Sequence, residues 1–342
     1  MEFANIKEMK VKDLAEAKEY LATSHIERVI LPLYKTQFIV DDNVPKLKCN
    51  GDFNPLTWEG FKSFCHILTE PVPVNFAVHI PRATLDKIVR DLKKINKEVV
   101  VYMKTEPPCI LNFTKYPHYS LKNADMVSIC DELLQQKELA KIHLTDVSLE
   151  IEMKERTSEE ILPGDNYFFT VRVVNSEVGV VGAYTQVGLL RSECWNSALI
   201  SDKVRWAYDY RRSYEYNLNN FRNKVINMNY QTNIAIDSLR NSIARKMTDE
   251  EVVRVWRALR RTVSPWYADK IIGIDSEIRK RILTRVNERY RPTSHHYHES
   301  SIETEFTTYE IGNKITEYAR DTKNFLLRNR LECLGGSVLL LN

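Results

Sequence analysis

The chain lacks the loops that hold nucleotides. Neither G-x-x-x-x-G-K-[ST] nor G-x-G-x-x-G occurs, which removes the usual phosphate cradle for nucleotide hydrolysis and dinucleotide redox chemistry. G-x-S-x-G and H-E-x-x-H are missing too, so neither a serine nucleophile on a sharp elbow nor a zinc-protease helix is indicated. The six cysteines, at 49, 65, 109, 130, 194 and 333, form no C-x-x-C pair and sit among apolar neighbours or near strand ends. They read as reduced, small buried residues of a cytosolic protein, not as a disulfide frame or a zinc site. An excess of charge of one sign is also lacking: Lys plus Arg total 49 and Asp plus Glu 46, a formal net charge of +3. Any electrostatic footprint for nucleic acid must therefore come from local clustering. No apolar run approaches the ~20 residues that cross a bilayer. The opening MEFANIKEMKVKDLAEAKEYL mixes acid and base and has no signal-peptide core, so a cytoplasmic location without membrane partners is expected. No internal repeat or low-complexity tract appears, and no cofactor is indicated.

What is present is enough apolar material for a large core, 43% hydrophobic residues in 342. Residues 7–22 place Val11, Leu14, Ala15 and Leu21 at helical spacing. Short strands follow over 28–34 and 36–40 around Pro32, which points to an edge or a bulge. Asn50-Gly51-Asp52 is a turn, and Trp58, Phe61, Cys65 and Leu68 line one face of a helix that Pro71 and Pro73 stop. A second amphipathic helix is expected over 83–95. Strands are expected over 98–104 and 109–114, followed by a helix capped by Asn123. Residues 147–153 alternate cleanly: Val147, Leu149, Ile151 and Met153 against Ser148, Glu150 and Glu152, so the acidic face should meet water or a partner. Beyond 191 the period turns helical. Thr248 with Glu251 forms a capping box, Ser264-Pro265 ends that helix, and another is expected over 268–290. A polar loop should precede one or two closing helices over 304–341, broken at Gly335-Gly336. The expected class is α+β: a mainly antiparallel sheet with packed helices over residues 1–190, and a helical lobe over 191–342 packed on it or merged into one domain.

The stretch 168–196, FFTVRVVNSEVGVVGAYTQVGLLRSECWN, sits at the centre of this pattern. Phe169, Val171 and Val173 share one face of a strand with Thr170 and Arg172 on the other, the period of a sheet covered on one side. Asn175, Ser176 and Gly179 supply turn chemistry. Residues 183–190 return as a second strand, in which Gly188 marks a bulge or the close approach of another backbone. Arg191 ends it, and Ser192 should cap a helix holding Cys194, Trp195 and Asn196 in its first turn.

The order NSEVG, strand, R-x-x-C-x-N resembles the phage- and plasmid-borne family catalogued as domain of unknown function 932. NKITEYARD, with Asn313, Thr316, Glu317 and Tyr318, and RNRLECLGG, with Arg330, Leu331, Glu332 and Gly336, are similar to that family's C-terminal helical block. CNGDFNPLTWEGFKSF is similar to its early segment. Ser197 stands where the family usually has glycine. The resemblance implies a mobile-element setting, with the host cytoplasm as the location if the chain is phage-encoded. It marks Asn175, Gly179, Cys194, Asn196, Asn313 and Thr316 as family-motif positions, and the family brings no settled activity.

The richest binding candidate is KVRWAYDYRRSYEYNLNNFRNK over 203–224. Arg205, Arg211, Arg212, Arg222 and Lys224 alternate with Trp206, Tyr208, Tyr210, Tyr214, Tyr216 and Phe221. Arginines neutralise phosphates while rings stack on bases, which suits single-stranded DNA or RNA; Arg191 joins the set. Trp206, Tyr210, Tyr214 and Phe221 equally fit the core stripe of a helix with solvated charges. Arg254, Arg257, Arg260 and Arg261 form a second basic face that would lengthen the track. His295, His296 and His298 are the metal candidates by chemistry but lack a recognised ligand spacing, and no metal site is assigned. Asp146, Glu150, Glu152, Asp165 and Glu177 would serve a magnesium-dependent nuclease only if folding gathers them. The leading expectation is a non-enzymatic single-stranded nucleic-acid-binding protein acting in replication or recombination. The alternatives are a self-associating or host-protein-binding factor, for which Tyr, Trp and Arg are also favoured anchors, and the nuclease.

Overall fold

In a computed structural model the chain is described over residues 2–67, 90, 92, 97–192, 194–200, 204–209, 211–226, 232–273, 280, 281, 283, 284, 303–322 and 324–341. The class is α+β, with antiparallel sheets and C-terminal helices. Most of the helix expected over 83–95, the part beyond 273 of the helix expected over 268–290, and the loop with His295, His296 and His298 lie largely or wholly outside the described residues.

The largest sheet runs β1 (Glu8–Met9), β8 (Glu138–Thr145), β9 (Leu149–Leu162), β10 (Asp165–Asn175), β11 (Tyr184–Arg191) and β12 (Ser197–Leu199), with β13 (Val204–Arg205) also on β11. Every pairing in it is antiparallel. Two three-stranded sheets precede it in the chain. The first is β2 (Ile26–Pro32), β6 (Glu98–Thr105) and β7 (Pro108–Lys115); the second is β3 (Phe38–Asp41), β4 (Val44–Cys49) and β5 (Asp52–Pro55). Pro32 ends β2, an edge strand, where a missing N–H costs nothing. Two-residue turns with positive φ close the β3–β4 and β4–β5 hairpins, at Asp42-Asn43 and Asn50-Gly51. α2 (Trp58–Ile67) packs Phe61 and Phe64 onto Phe38 and Phe113 to make the core of this part.

Alternation in β9 and β10 sends their residues to two different interiors. Leu149, Ile151, Met153, Val171 and Val173 face a core closed by α1 (Leu14–Thr23), α3 (Asn123–Leu133) and α4 (Tyr214–Ile226). The opposite face is covered by α9 (Phe325–Leu339) and α5 (Thr232–Ala244), behind which pack α6 (Asp249–Thr262), α7 (Pro265–Ile272) and α8 (Thr308–Arg320). A short ladder, β14 (Lys246–Thr248) with β15 (Glu303–Thr307), leads into this helical layer. The sheet is therefore covered on both sides, not one. Glu150 and Glu152 do not meet water: both are buried, because Arg172 of β10 and the inner face of α9 lie against them.

Local expectations fail where tertiary partners override them. Asn123 does not cap α3; its side-chain Oδ1 accepts from Asn175 Nδ2 (2.8 Å), and the Glu177 carboxylate accepts its backbone N–H (3.1 Å). Cys194, Trp195 and Asn196 are not helical. Trp195 holds φ +54°, the chain folds back so that the Arg191 N–H donates to Asn196 O (3.0 Å), and β12 follows. α7 stops at Gly273, whose φ of +77° forms a left-handed cap, so no single helix spans 268–290. The closing helices divide at 321–324, not at Gly335-Gly336. Those glycines lie inside α9, where a Cβ on Gly336 would stand 2.1 Å from Leu199 O and one on Gly335 2.5 Å from Thr316 Cγ2. Gly188 obeys its expectation: a Cβ there would stand 2.7 Å from Thr170 Oγ1 and 3.1 Å from Ala198 O.

Candidate nucleic-acid interface

The 203–224 segment does not form one shelf. Trp206 follows β13 and is buried, edge-on to Tyr208 (5.5 Å) and to Phe221 (6.2 Å), and Phe221 is fully enclosed. Tyr214 opens α4 and donates to Asp125 while accepting the Lys122 N–H (3.0 Å). Arg222 is held by Glu132 (2.6 Å), and Lys224 is half-buried. Arg211 and Arg212 are exposed, with Arg212 over the Tyr216 ring at 5.1 Å, and Tyr208 stacks on Tyr119 (5.2 Å). Tyr210 and the side chain of Arg205 lie outside the described residues. The core-stripe reading thus accounts for Trp206, Tyr214 and Phe221, because the stripe is what closes one side of the sheet.

The second basic face does not lengthen that track, since α4 and α6 belong to opposite sides of the sheet. It stands as a surface by itself. The capping box forms as expected, Thr248 accepting from Glu251 N and Glu251 from Thr248 N, and fixes where α6 starts and which side it buries. Val252, Val255 and Leu259 face the core. At about 100° per residue, Arg254, Arg257 and Arg261 fall within about 60° of one another on the far side, with Arg260 about 60° further round. All four are exposed, and among the described residues none makes an ion pair, although the charge of Arg254 reaches Glu251. Arg260 lies over the Trp256 ring (4.6 Å). Directly after α6, Trp266 is 64% exposed with Lys270 over its ring (5.5 Å). Trp266 meets Tyr267 edge-on (4.8 Å), and Tyr267 reaches Tyr318 of α8 (5.7 Å). Spacing alone located the arginines. Trp266 and Tyr267 were missed because an apolar pair after proline reads as a buried helix start.

Arg191 of the binding set and the six motif positions are dispersed: Asn175 lies by α3, whereas Asn313 and Thr316 lie in α8. Arg191 donates to Asp165 (2.7 Å), whose other oxygen accepts from Tyr309. Asn196 is buried in the turn, and Asn313 accepts from Tyr167 (3.2 Å). Thr316 donates to Asn313 O (2.9 Å), and Asn175 Nδ2 also donates to Leu121 O (2.8 Å). Gly179 holds φ +80°, and its turn is supported by Ser176. Cys194 is half-buried, and its carbonyl accepts from Arg320 (3.2 Å). The Ser197 hydroxyl donates to Glu152 (3.0 Å).

Beneath these residues lies a buried ionic network. Arg172 contacts Glu150 (3.1 Å), Glu152 (2.9 Å) and Glu332, and Arg328 joins Glu150. Burial works against the Arg172 charge, yet Glu152, Glu332 and Glu150 together hold its pKa well above the ordinary value. Burial raises Glu332 above the ordinary carboxylate range; Glu150 is held below it, because Arg172 and Arg328 outweigh its burial. The carboxylates weighed as magnesium ligands are not gathered. Glu150 and Glu152 serve Arg172, Asp146 serves Lys104 (2.8 Å), Asp165 serves Arg191, and Glu177 serves Asn123. Among the described residues no three His, Cys, Asp or Glu side chains converge in a form that would hold a metal. Burial pushes the Cys49 and Cys65 thiols up to about 12, far from reactive thiolates.

No family model, curated protein or solved structure matches this chain. No helix among the described residues is long and apolar enough to cross a membrane.

Proposed function

We propose that the chain is a non-enzymatic binding protein for single-stranded nucleic acid, with the arginine face of α6 and the rings at the start of α7 as its contact surface. One observation carries this reading: Arg254, Arg257, Arg260 and Arg261 project from one helix without ion pairs among the described residues, beside a tryptophan that is 64% exposed. Four cations supply salt-dependent attraction to phosphates, and a ring stacks on any base, so the combination favours a single strand over a duplex whose bases are covered. The mobile-element resemblance supports a role in phage or plasmid replication or recombination.

The test is anisotropy of a labelled oligonucleotide at low salt, competed with unlabelled single- or double-stranded DNA and with RNA. Binding that single strands displace better than duplex is expected. Absence of binding at low salt rejects the reading and leaves the same side chains to a protein partner, for which Trp, Tyr and Arg are also preferred anchors.

A further inference from the structure

We propose that Trp195 is a second, preformed stacking platform for an unpaired base on the same strand, beside the C-terminal end of α8, which the α6–α7 contact also flanks. This rests on the nucleic-acid reading above, and its test separates the two.

Trp195 is held in a conformation that its side chain disfavours. A φ of +54° belongs to the left-handed region, where glycine or asparagine is the comfortable choice and a bulky ring is an outlier. Such strain persists only where surrounding structure over-determines it. Four hydrogen bonds do so here. Arg191 N–H donates to Asn196 O (3.0 Å), Trp195 N–H to Arg191 O (2.9 Å), Ser192 N–H to Asn166 O (2.8 Å), and Arg320 Nη1 to Cys194 O (3.2 Å).

A ring kept for packing would be buried, and a turn kept only for its backbone would carry glycine. Trp195 is neither, being 53% exposed. Its position is set from within by Lys154, whose Nζ lies 3.9 Å from the Phe168 ring centre and 5.6 Å from that of Trp195. Lys154 is itself tied to Glu138 (3.1 Å). The ring is thus oriented before any ligand arrives, which lowers the ordering cost of binding.

The setting suits a nucleic-acid strand. Arg320 is exposed beside the turn and is shared with Asp321 (2.9 Å). Arg320 and Tyr318 both belong to the last turn of α8, and Tyr318 touches Tyr267 next to Trp266. The Trp195 turn and the α6–α7 face therefore flank one helix end, so a single strand that leaves Trp266 has a second ring to stack on.

The experiment compares wild type with Trp195→Ala, Trp195→Phe, Trp195→Gly and the triple change Arg254→Gln, Arg257→Gln, Arg261→Gln, using labelled oligothymidylate at low salt and thermal melts. Loss of one stacked base weakens binding about 5- to 150-fold, so Trp195→Ala should fall in that range with an unchanged salt slope, while Trp195→Phe retains most affinity. Trp195→Gly should melt no lower than wild type, because glycine relieves the positive φ, yet bind as weakly as the alanine variant. Wild-type affinity in Trp195→Ala and Trp195→Gly, with a deficit in the arginine variant, would overturn the platform and leave the α6 surface standing. No binding by wild type would remove both.

Discussion

Arg172 and Glu332, 160 residues apart in sequence, meet fully buried between the large sheet and α9, with Glu150 and Glu152 on the other sides of the same guanidinium. This contact fastens α9 to the sheet, and so fixes where α6, which packs on α9 and carries the arginine face, can lie.

Replacing Arg172 with methionine leaves Glu150 and Glu332 with Arg328 and takes from Glu152 its guanidinium partner. Breaking a buried ionic network by removing one partner costs about 3–5 kcal/mol. Urea unfolding should show a loss of that size for Arg172→Met, and adding Glu150→Gln, Glu152→Gln and Glu332→Gln should recover part of it. A single variant as stable as wild type would mean that the network contributes nothing to docking of α9.

Stability should fall as pH drops below about 6.5, the ordinary histidine value. Burial and Arg28 lower His118; burial, Arg328 and Lys141 lower His143 against the opposing pull of Glu150 and Glu8. A folded pKa below the unfolded one means that the unfolded chain takes up more protons across this window, so acidification favours unfolding. His118→Gln and His143→Gln should each flatten the slope of unfolding free energy between pH 6.5 and 5, measured by urea titration at each pH. A slope that survives both changes would assign the effect elsewhere.

Gly336→Ala should destabilise the fold by about 1–3 kcal/mol, the usual cost of overpacking, since the added Cβ would stand 2.1 Å from Leu199 O, a backbone atom that cannot rotate away. Gly164→Ala is a contrasting control: nothing lies within 4 Å of its Cβ, and only the positive φ of 82° opposes it. Thermal melts should place Gly336→Ala well below the control.

The sequence displayed features that depend on near neighbours. The shared face of Leu149, Ile151 and Met153, the Asn50-Gly51 turn and the Thr248–Glu251 box each involve residues a few positions apart, and each appears in the structure, although the strand starts at Leu149 and not at Val147. Glu150 and Glu152 were misread because the cations that neutralise them lie far along the chain: Arg172 is 20 residues from Glu152, and Arg328 is 178 from Glu150. Trp206 and Phe221 showed the right chemistry for stacking, but burial is decided by the sheet they cover. Trp195 could not be found by pattern at all, since its left-handed backbone comes from bonds to Asn166 and to Arg320 of α8. The arginine face of α6 was legible because one helix carries all four residues at a simple spacing.

The most direct measurement is the salt dependence of oligonucleotide binding by wild type and by the Arg254→Gln, Arg257→Gln, Arg261→Gln variant. Each phosphate neutralised on a single strand contributes about 0.7 to the slope of log affinity against log salt, so the variant's slope should be shallower by about 2, with weaker binding at low salt. Equal slopes and equal affinities would contradict the claim that α6 carries the contact.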